Sequence, residues 1–328
     1  MGSVAATRDG SLAPGVPAPL TAAQVADFER HGFLVIDRPV VAAEEIAWAR
    51  QTIETLFEKG AGAAEGRHLD LSARAAENPN PTPQILHPWL FAPELRRLGF
   101  RDTALAIARQ LLGPAAVPSG EHAILKPAQH GGITPWHQDE AFRDPRFDYS
   151  EISIWIALTD ATEENGAVRY LPGSHRGPVR EHRPYGGVLN ASSIECVEPI
   201  DATATVLAAL PAGGVAIHHR RVVHGAGPNR SGAPRLGYVL VLAAPPVPAS
   251  EPRDFPWRQQ YDGSRAARRR QWRRRGGVVI DQIRRIRFGP LGDRCYRWFR
   301  GVATAVQKLQ RGGRDATDGR PARRRGSL

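Results

Sequence analysis

A chain of 328 residues, 41% hydrophobic and 23% charged, is long enough to bury a sizeable core and has the composition of a soluble globular protein. Cys196 and Cys295 are its only cysteines, far apart in sequence, which excludes a disulfide framework or a cysteine zinc site and suits a reducing cytoplasm. No apolar run approaches the roughly 20 residues of a membrane span. The formal net charge of +11 is local: 13 arginines against two aspartates between Arg265 and Arg300 account for all of it. Any membrane or nucleic-acid surface therefore belongs to that segment.

Residues 1–20 lack the apolar core of a secretory signal and read as a disordered lead. Thr21 and Gln24 have capping-box spacing, Val25 and Phe28 begin an apolar helical face, and Gly32 stops the helix before the strand "FLVID". A second amphipathic helix, "AAEEIAWARQTIETLFEKG", aligns Ile46, Ala49, Ile53, Leu56 and Phe57 and stops at Gly60. Residues 60–83, rich in Ala, Gly, Asn and Pro, read as a mobile loop. Helical periodicity then resumes through "APELRRLGFRDTALAIARQLLG" to Gly113.

From there "HAILK", "EISIWIAL", "AVRYL", "GGVAIHH" and "RLGYVLVLAA" are short β-rich runs between Gly, Pro and Asn turns. Helices first and then many strands with none between predict an α+β fold with a sandwich or jelly-roll core. The Pro-rich "APPVPASEPRDFP" closes this domain near residue 256. The expected organisation is a lead (1–20), one domain (21–256), an arginine-rich helical extension (257–311) and a disordered tail (312–328).

Within "PWHQDEAF", His137 and Asp139 are two apart, so on a strand they share a face while Gln138 turns away. The same spacing recurs at His68 and Asp70, but in the Gly/Ala-rich loop with no adjoining strand, where it reads as a solvated accident. A facial metal site needs a third ligand from a distant strand. Of His218, His219 and His224, the last precedes Gly-Ala-Gly-Pro-Asn at a strand end, where a converging ligand belongs. His218 and His219 fall mid-strand and read as packed or surface histidines. Arg235 follows His224 by 11 residues, and its guanidinium suits bidentate capture of an organic acid.

These segments, with "ISIWIALTDATEENGAVRYLPGSHRG" and the opening "LTAAQVADFERHGFLVID", resemble the phytanoyl-CoA dioxygenase-like family over approximately residues 20–245. The resemblance implies a double-stranded β-helix (jelly-roll) core and an Fe(II)- and 2-oxoglutarate-dependent dioxygenase that consumes O2 and releases succinate and CO2. It implies iron at His137, Asp139 and His224, and the distal carboxylate of 2-oxoglutarate at Arg235. Lys126, Trp155, Gln138 and, in a looser match, Gln84 fall at positions of the co-substrate site. Trp155 reads equally as a core aromatic, and Lys126 as an exposed strand end.

Hydroxylation of an aliphatic C–H in a small molecule is the expected reaction, on a specialised metabolite, an amino acid or an acyl or carrier-tethered substrate. Desaturation, cyclisation or epimerisation is the alternative. A cupin-like binding protein would not need Arg235, and a halogenase would replace Asp139 with a small residue. In the extension, Cys295, Trp298, Phe299, Val302, Val306 and Leu309 share a helical stripe beside Arg294, Arg297 and Arg300. That suits an anionic membrane surface or an acidic carrier protein, with nucleic acid disfavoured; a basic helix packed on the domain is the other reading. The expected location is cytoplasmic, or peripheral to a membrane.

Overall fold

The computed structural model describes residues 19–71, 80–187, 193–251 and 253–258, all within the unit Met1–Asp281. The expected lead up to residue 18 and the arginine-rich extension past 258 lie outside the described residues. Among the described residues no helix is long and apolar enough to cross a membrane.

Helix α1 (Ala22–His31) starts on the predicted capping box: the Thr21 hydroxyl accepts from the Gln24 N–H at 3.2 Å, and Gln24 Oε1 accepts from the Thr21 N–H at 2.9 Å. Gly32, at φ 82°, ends it in the left-handed conformation that glycine adopts without cost, and strand β1 (Phe33–Ile36) follows. Helix α2 (Ala43–Glu58) buries Ile46, Ala49, Ile53 and Leu56.

Two expectations are corrected next. The region read as a mobile loop contains strand β2 (His68–Asp70), which pairs antiparallel with β3 (Pro83–Leu86) at the loop's end, so the His68 copy does have an adjoining strand. The helix read from Pro93 onwards is broken: Pro93–Arg97 is a 3-10 helix, Leu98 is extended, and only then does α3 (Phe100–Leu112) begin. The hydrophobic period is blind to this break because Leu95, Leu98 and Phe100 are buried on both sides of it.

The remaining strands are β4 (Val117–Lys126), β5 (Thr134–His137), β6 (Phe147–Asp148), β7 (Glu151–Ala157), β8 (Val168–Tyr170), β9 (His182–Pro184), β10 (Ile194–Cys196), β11 (Val206–Leu207), β12 (Val215–His219), β13 (His224–Ala226), β14 (Arg235–Ala243) and β15 (Val247–Pro248). A seven-stranded sheet runs β1-β12-β7-β14-β4-β3-β2 and a four-stranded sheet β11-β8-β13-β5, antiparallel throughout. Together they form the double-stranded β-helix core.

Alternation along the large sheet separates two tasks. Ile152, Ile154 and Ile156 of β7 and Leu236, Tyr238, Leu240 and Leu242 of β14 pack with Phe28, Ile53, Phe100 and Ile107 of the helices. The opposite face presents Phe33, Trp155, Ala216 and Val239 to Tyr170 and Val222, between the sheets. Gly237 lies on that inner face, and a Cβ there would collide with the Trp155 indole.

Packing continues past Pro256. Trp257 is 7% exposed and clusters with Phe255, Ala141 and Ile194; its indole N–H donates to the Ala141 carbonyl at 2.9 Å. Arg253 reaches Glu140 at 2.8 Å. Trp257→Ala is expected to destabilise the domain by about 3 kcal/mol, read as a lowered urea midpoint, because the cavity abuts the turn carrying Asp139.

Candidate active site

His137 is the last residue of β5, and the antiparallel register sets it directly opposite His224, the first residue of β13. Their ring centroids lie 4.2 Å apart. Each imidazole is fixed by the same local device. The Nδ1–H of His137 donates to the Pro135 carbonyl at 2.8 Å, and that of His224 to the Val222 carbonyl at 3.1 Å. Both rings thereby turn an Nε2 lone pair towards Asp139 Oδ1, at 3.6 Å from His137 and 3.9 Å from His224.

Asp139 is not on the strand itself. It opens the 3-10 helix Asp139–Phe142, while Gln138 before it keeps extended angles (φ −119°, ψ 129°). The two-residue spacing therefore still brings Asp139 to the side of His137. The three candidate ligand atoms all lie within 4.8 Å of one another, and no other such group of His, Cys, Asp or Glu occurs among the described residues.

The electrostatics of His224 and Asp139 suit a bound cation. Burial, then the nearby His137 and His218, push the His224 imidazole far below its usual range, so it stays unprotonated. Burial alone would raise the Asp139 carboxyl. The His137 and His218 imidazoles beside it, with His224, outweigh that and hold the group well below the carboxylate range.

Arg235 begins β14 and pairs with Lys126 at the end of β4. Its side chain is 1% exposed, Nε and Nη1 have no hydrogen-bond partner, and the guanidinium lies 5.1 Å from the Trp155 ring centre. Burial pushes it down to about 10. Lys126 is fully buried rather than an exposed strand end, and its ammonium donates to the carbonyls of Gly132 and Gly227. Burial, then Arg235 beside it, lowers Lys126 well below its usual value. Neither of these two adjacent buried basic groups is in an ion pair among the described residues, and burying such groups without a counter-charge is costly. Gln84, 7% exposed on β3, pairs with Ile124 on the same inner face.

Gln138 faces away from this cluster. Its amide donates to the Arg221 carbonyl and accepts from the Arg180 N–H, each at 2.7 Å, and its own N–H donates to His182 Nε2 at 3.1 Å. His68 is remote from the cluster: its ring meets Phe57 edge-on at 5.6 Å, and Asp70 accepts from the Thr82 N–H at 2.9 Å.

Three residues around the site, Ser153, Tyr170 and His122, carry no role in the sequence analysis, and His218, read there as a packed or surface histidine, is buried at 5% exposure. His122, opposite Val239 on the inner face, is pushed down to about 4, chiefly by burial. A signal existed for Ser153, a small polar residue on the inner phase of an otherwise apolar strand. Tyr170 and His122 carried none.

Residues 28–237 match the family model described as "Phytanoyl-CoA dioxygenase (PhyH)". The chain belongs to the phytanoyl-CoA dioxygenase family. It is 29% identical over 212 residues to a Stutzerimonas stutzeri protein named "Probable alpha-ketoglutarate-dependent hypophosphite dioxygenase", covering 62% of this chain and 73% of that one. Among solved structures it is similar to EvdO2 from Micromonospora carbonacea var. aurantiaca, crystallised with 2-oxoglutarate (TM-score 0.61, 32% identity, 73% and 96% of the two chains). It is also similar to SnoK, an alpha-ketoglutarate-dependent carbocyclase from nogalamycin biosynthesis (TM-score 0.55, 25% identity, 70% and 87% covered). This family member is thus an oxidoreductase of the 2-oxoglutarate-dependent dioxygenase class, whose cofactors and co-substrates are iron(II), 2-oxoglutarate and O2.

The donors present fit that metal: two neutral imidazoles and one carboxylate nearly balance a divalent charge and leave one face of an octahedron free. Anaerobic addition of iron(II) and 2-oxoglutarate should give a weak visible charge-transfer band. His137→Ala and His224→Ala should each abolish it, and His68→Ala should leave it intact.

Proposed function

We propose that this dioxygenase oxidises an aliphatic C–H of a small organic substrate, with hydroxylation as the default outcome. In this reading His137 Nε2, Asp139 Oδ1 and His224 Nε2 hold iron(II), and Arg235 holds the distal carboxylate of 2-oxoglutarate. The observation that carries it is the Arg235 guanidinium, 1% exposed and with Nε and Nη1 unpartnered, on the inner face of the large sheet, which packs against the smaller sheet carrying His137 and His224. A cation kept in such a place at the cost of its hydration is explained by an anionic ligand that completes it.

Iron(II) supplies O2 activation, coupled to oxidative decarboxylation of 2-oxoglutarate to succinate and CO2. The chain's own side chains do the positioning. The planar fork of Arg235 fixes one end of a dicarboxylate, and the Trp155 indole beneath it keeps water from the pair. Lys126 adds positive charge while its ammonium ties Gly132 and Gly227 together beside the site. Gln84 offers a polar amide on the same face.

Substrates proposed are a specialised metabolite, an amino acid or an acyl or carrier-tethered molecule. Similarity to a carbocyclase supports ring formation as the second outcome on the same site.

The test is turnover: with iron(II), 2-oxoglutarate and O2, a metabolite extract should yield succinate together with one species heavier by an oxygen atom, or lighter by two hydrogens. Arg235→Leu should cost about 1.5 to 3 kcal/mol in co-substrate binding, raising the 2-oxoglutarate requirement at least about tenfold while metal binding survives. An unchanged requirement would transfer the carboxylate to Lys126.

A further inference from the structure

His218 lies on β12, opposite Ser153 of β7, with only 5% of its surface exposed. It is not one of the three converging ligands, yet both its ring nitrogens are engaged. Nδ1 lies 3.1 Å from the Tyr170 hydroxyl, and Nε2 lies 3.3 Å from Asp139 Oδ2. The Ser153 hydroxyl donates to the same Oδ2 at 3.2 Å. The other carboxylate oxygen, Oδ1, is the one facing His137 and His224.

For a neutral His218 these contacts fix the proton positions. A neutral imidazole has one N–H and one lone pair. A lone pair on Nε2 would confront a carboxylate oxygen that has no proton to offer, so Nε2 carries the hydrogen. Nδ1 is then an acceptor, and the buried Tyr170 hydroxyl donates to it. The chain of donation runs from Tyr170 through His218 to Asp139, with Ser153 as a second donor at its end.

We propose that His218, held in its Nε2–H form by Tyr170, is a positioning residue that with Ser153 ties up Asp139 Oδ2, so that the carboxylate offers the metal Oδ1 alone. The inference rests on the reading of His137, Asp139 and His224 as the iron ligands. Its consequence is an open site: a carboxylate gripping through both oxygens would take a position that 2-oxoglutarate or O2 must use.

The experiment uses full-length protein freed of metal, titrated with Mn(II) without turnover, followed by 2-oxoglutarate at saturating Mn(II). His218→Phe, which removes the donor, should weaken Mn(II) binding about 10- to 100-fold. It should also weaken 2-oxoglutarate binding at saturating metal. His218→Gln, whose amide can donate to Oδ2, should keep both affinities within about threefold of wild type. Tyr170→Phe, which removes only the tautomer lock, should weaken Mn(II) binding by an intermediate factor, and serves if His218→Phe does not fold. Wild-type affinities in His218→Phe or Tyr170→Phe, or equal losses in His218→Phe and His218→Gln, would overturn the proposal. Failure of wild type to bind Mn(II), or unchanged binding in His137→Ala, would instead overturn the ligand assignment on which it rests.

Discussion

The antiparallel pairing of His137 with His224 is the contact on which the site depends. It joins two strand ends 87 positions apart in sequence and brings two imidazoles to 4.2 Å. Neither ring relies on a long-range partner for its orientation, because each donates to a carbonyl two residues behind it. The strand pairing therefore sets the distance, and local backbone sets the direction. What remains is to deliver a carboxylate, and the extended Gln138 does so while its own amide is fastened to Arg180 and Arg221 on the far side.

The turn that follows Asp139 is anchored just as firmly. Glu140, 1% exposed, accepts from Arg221 and Arg253, each at 2.8 Å, and lies 3.1 Å from the Nε of the fully buried Arg220. Glu151 joins the cluster through Arg143 and Arg220. Several charges sharing one enclosed volume compensate one another's lost hydration, which a single buried pair seldom does. The cluster links the β12–β13 corner, the turn after β5 and the chain near Arg253. Asp139, one residue from Glu140, has little freedom to drift.

The large sheet divides stability from chemistry by strand alternation alone. Its outer phase is mostly hydrocarbon against three helices, where burial supplies the favourable free energy, with one polar cluster of Glu121, Tyr238 and Arg101 that satisfies itself. Its inner phase carries Lys126, Arg235, His122 and His218, polar groups whose burial costs stability unless each finds a partner. Protein partners satisfy Lys126 and His218, whereas two guanidinium nitrogens of Arg235 are left over. The unsatisfied group on this face is the one proposed to take the co-substrate carboxylate.

Much of this was legible in the amino-acid sequence because it depends on near neighbours. The capping box at Thr21, the glycine stop at Gly32 and the two-residue step from His137 to Asp139 are all local geometry. The strand-end position of His224 and the 11-residue step to Arg235 marked both as candidates, and motif resemblance added the metal and the co-substrate they would bind. The break at Leu98 and strand β2 escaped notice, since burial on both sides of a kink, and pairing to a partner across a loop, leave no mark on periodicity. His218 escaped for the same reason in sharper form. Its spacing fits a packed histidine, and only the folding of β7, β8 and the Asp139 turn around β12 gives its two nitrogens a hydroxyl on one side and a carboxylate on the other. Hydrogen bonds between strands are set by register across the whole sheet, and register is a property of the assembled barrel.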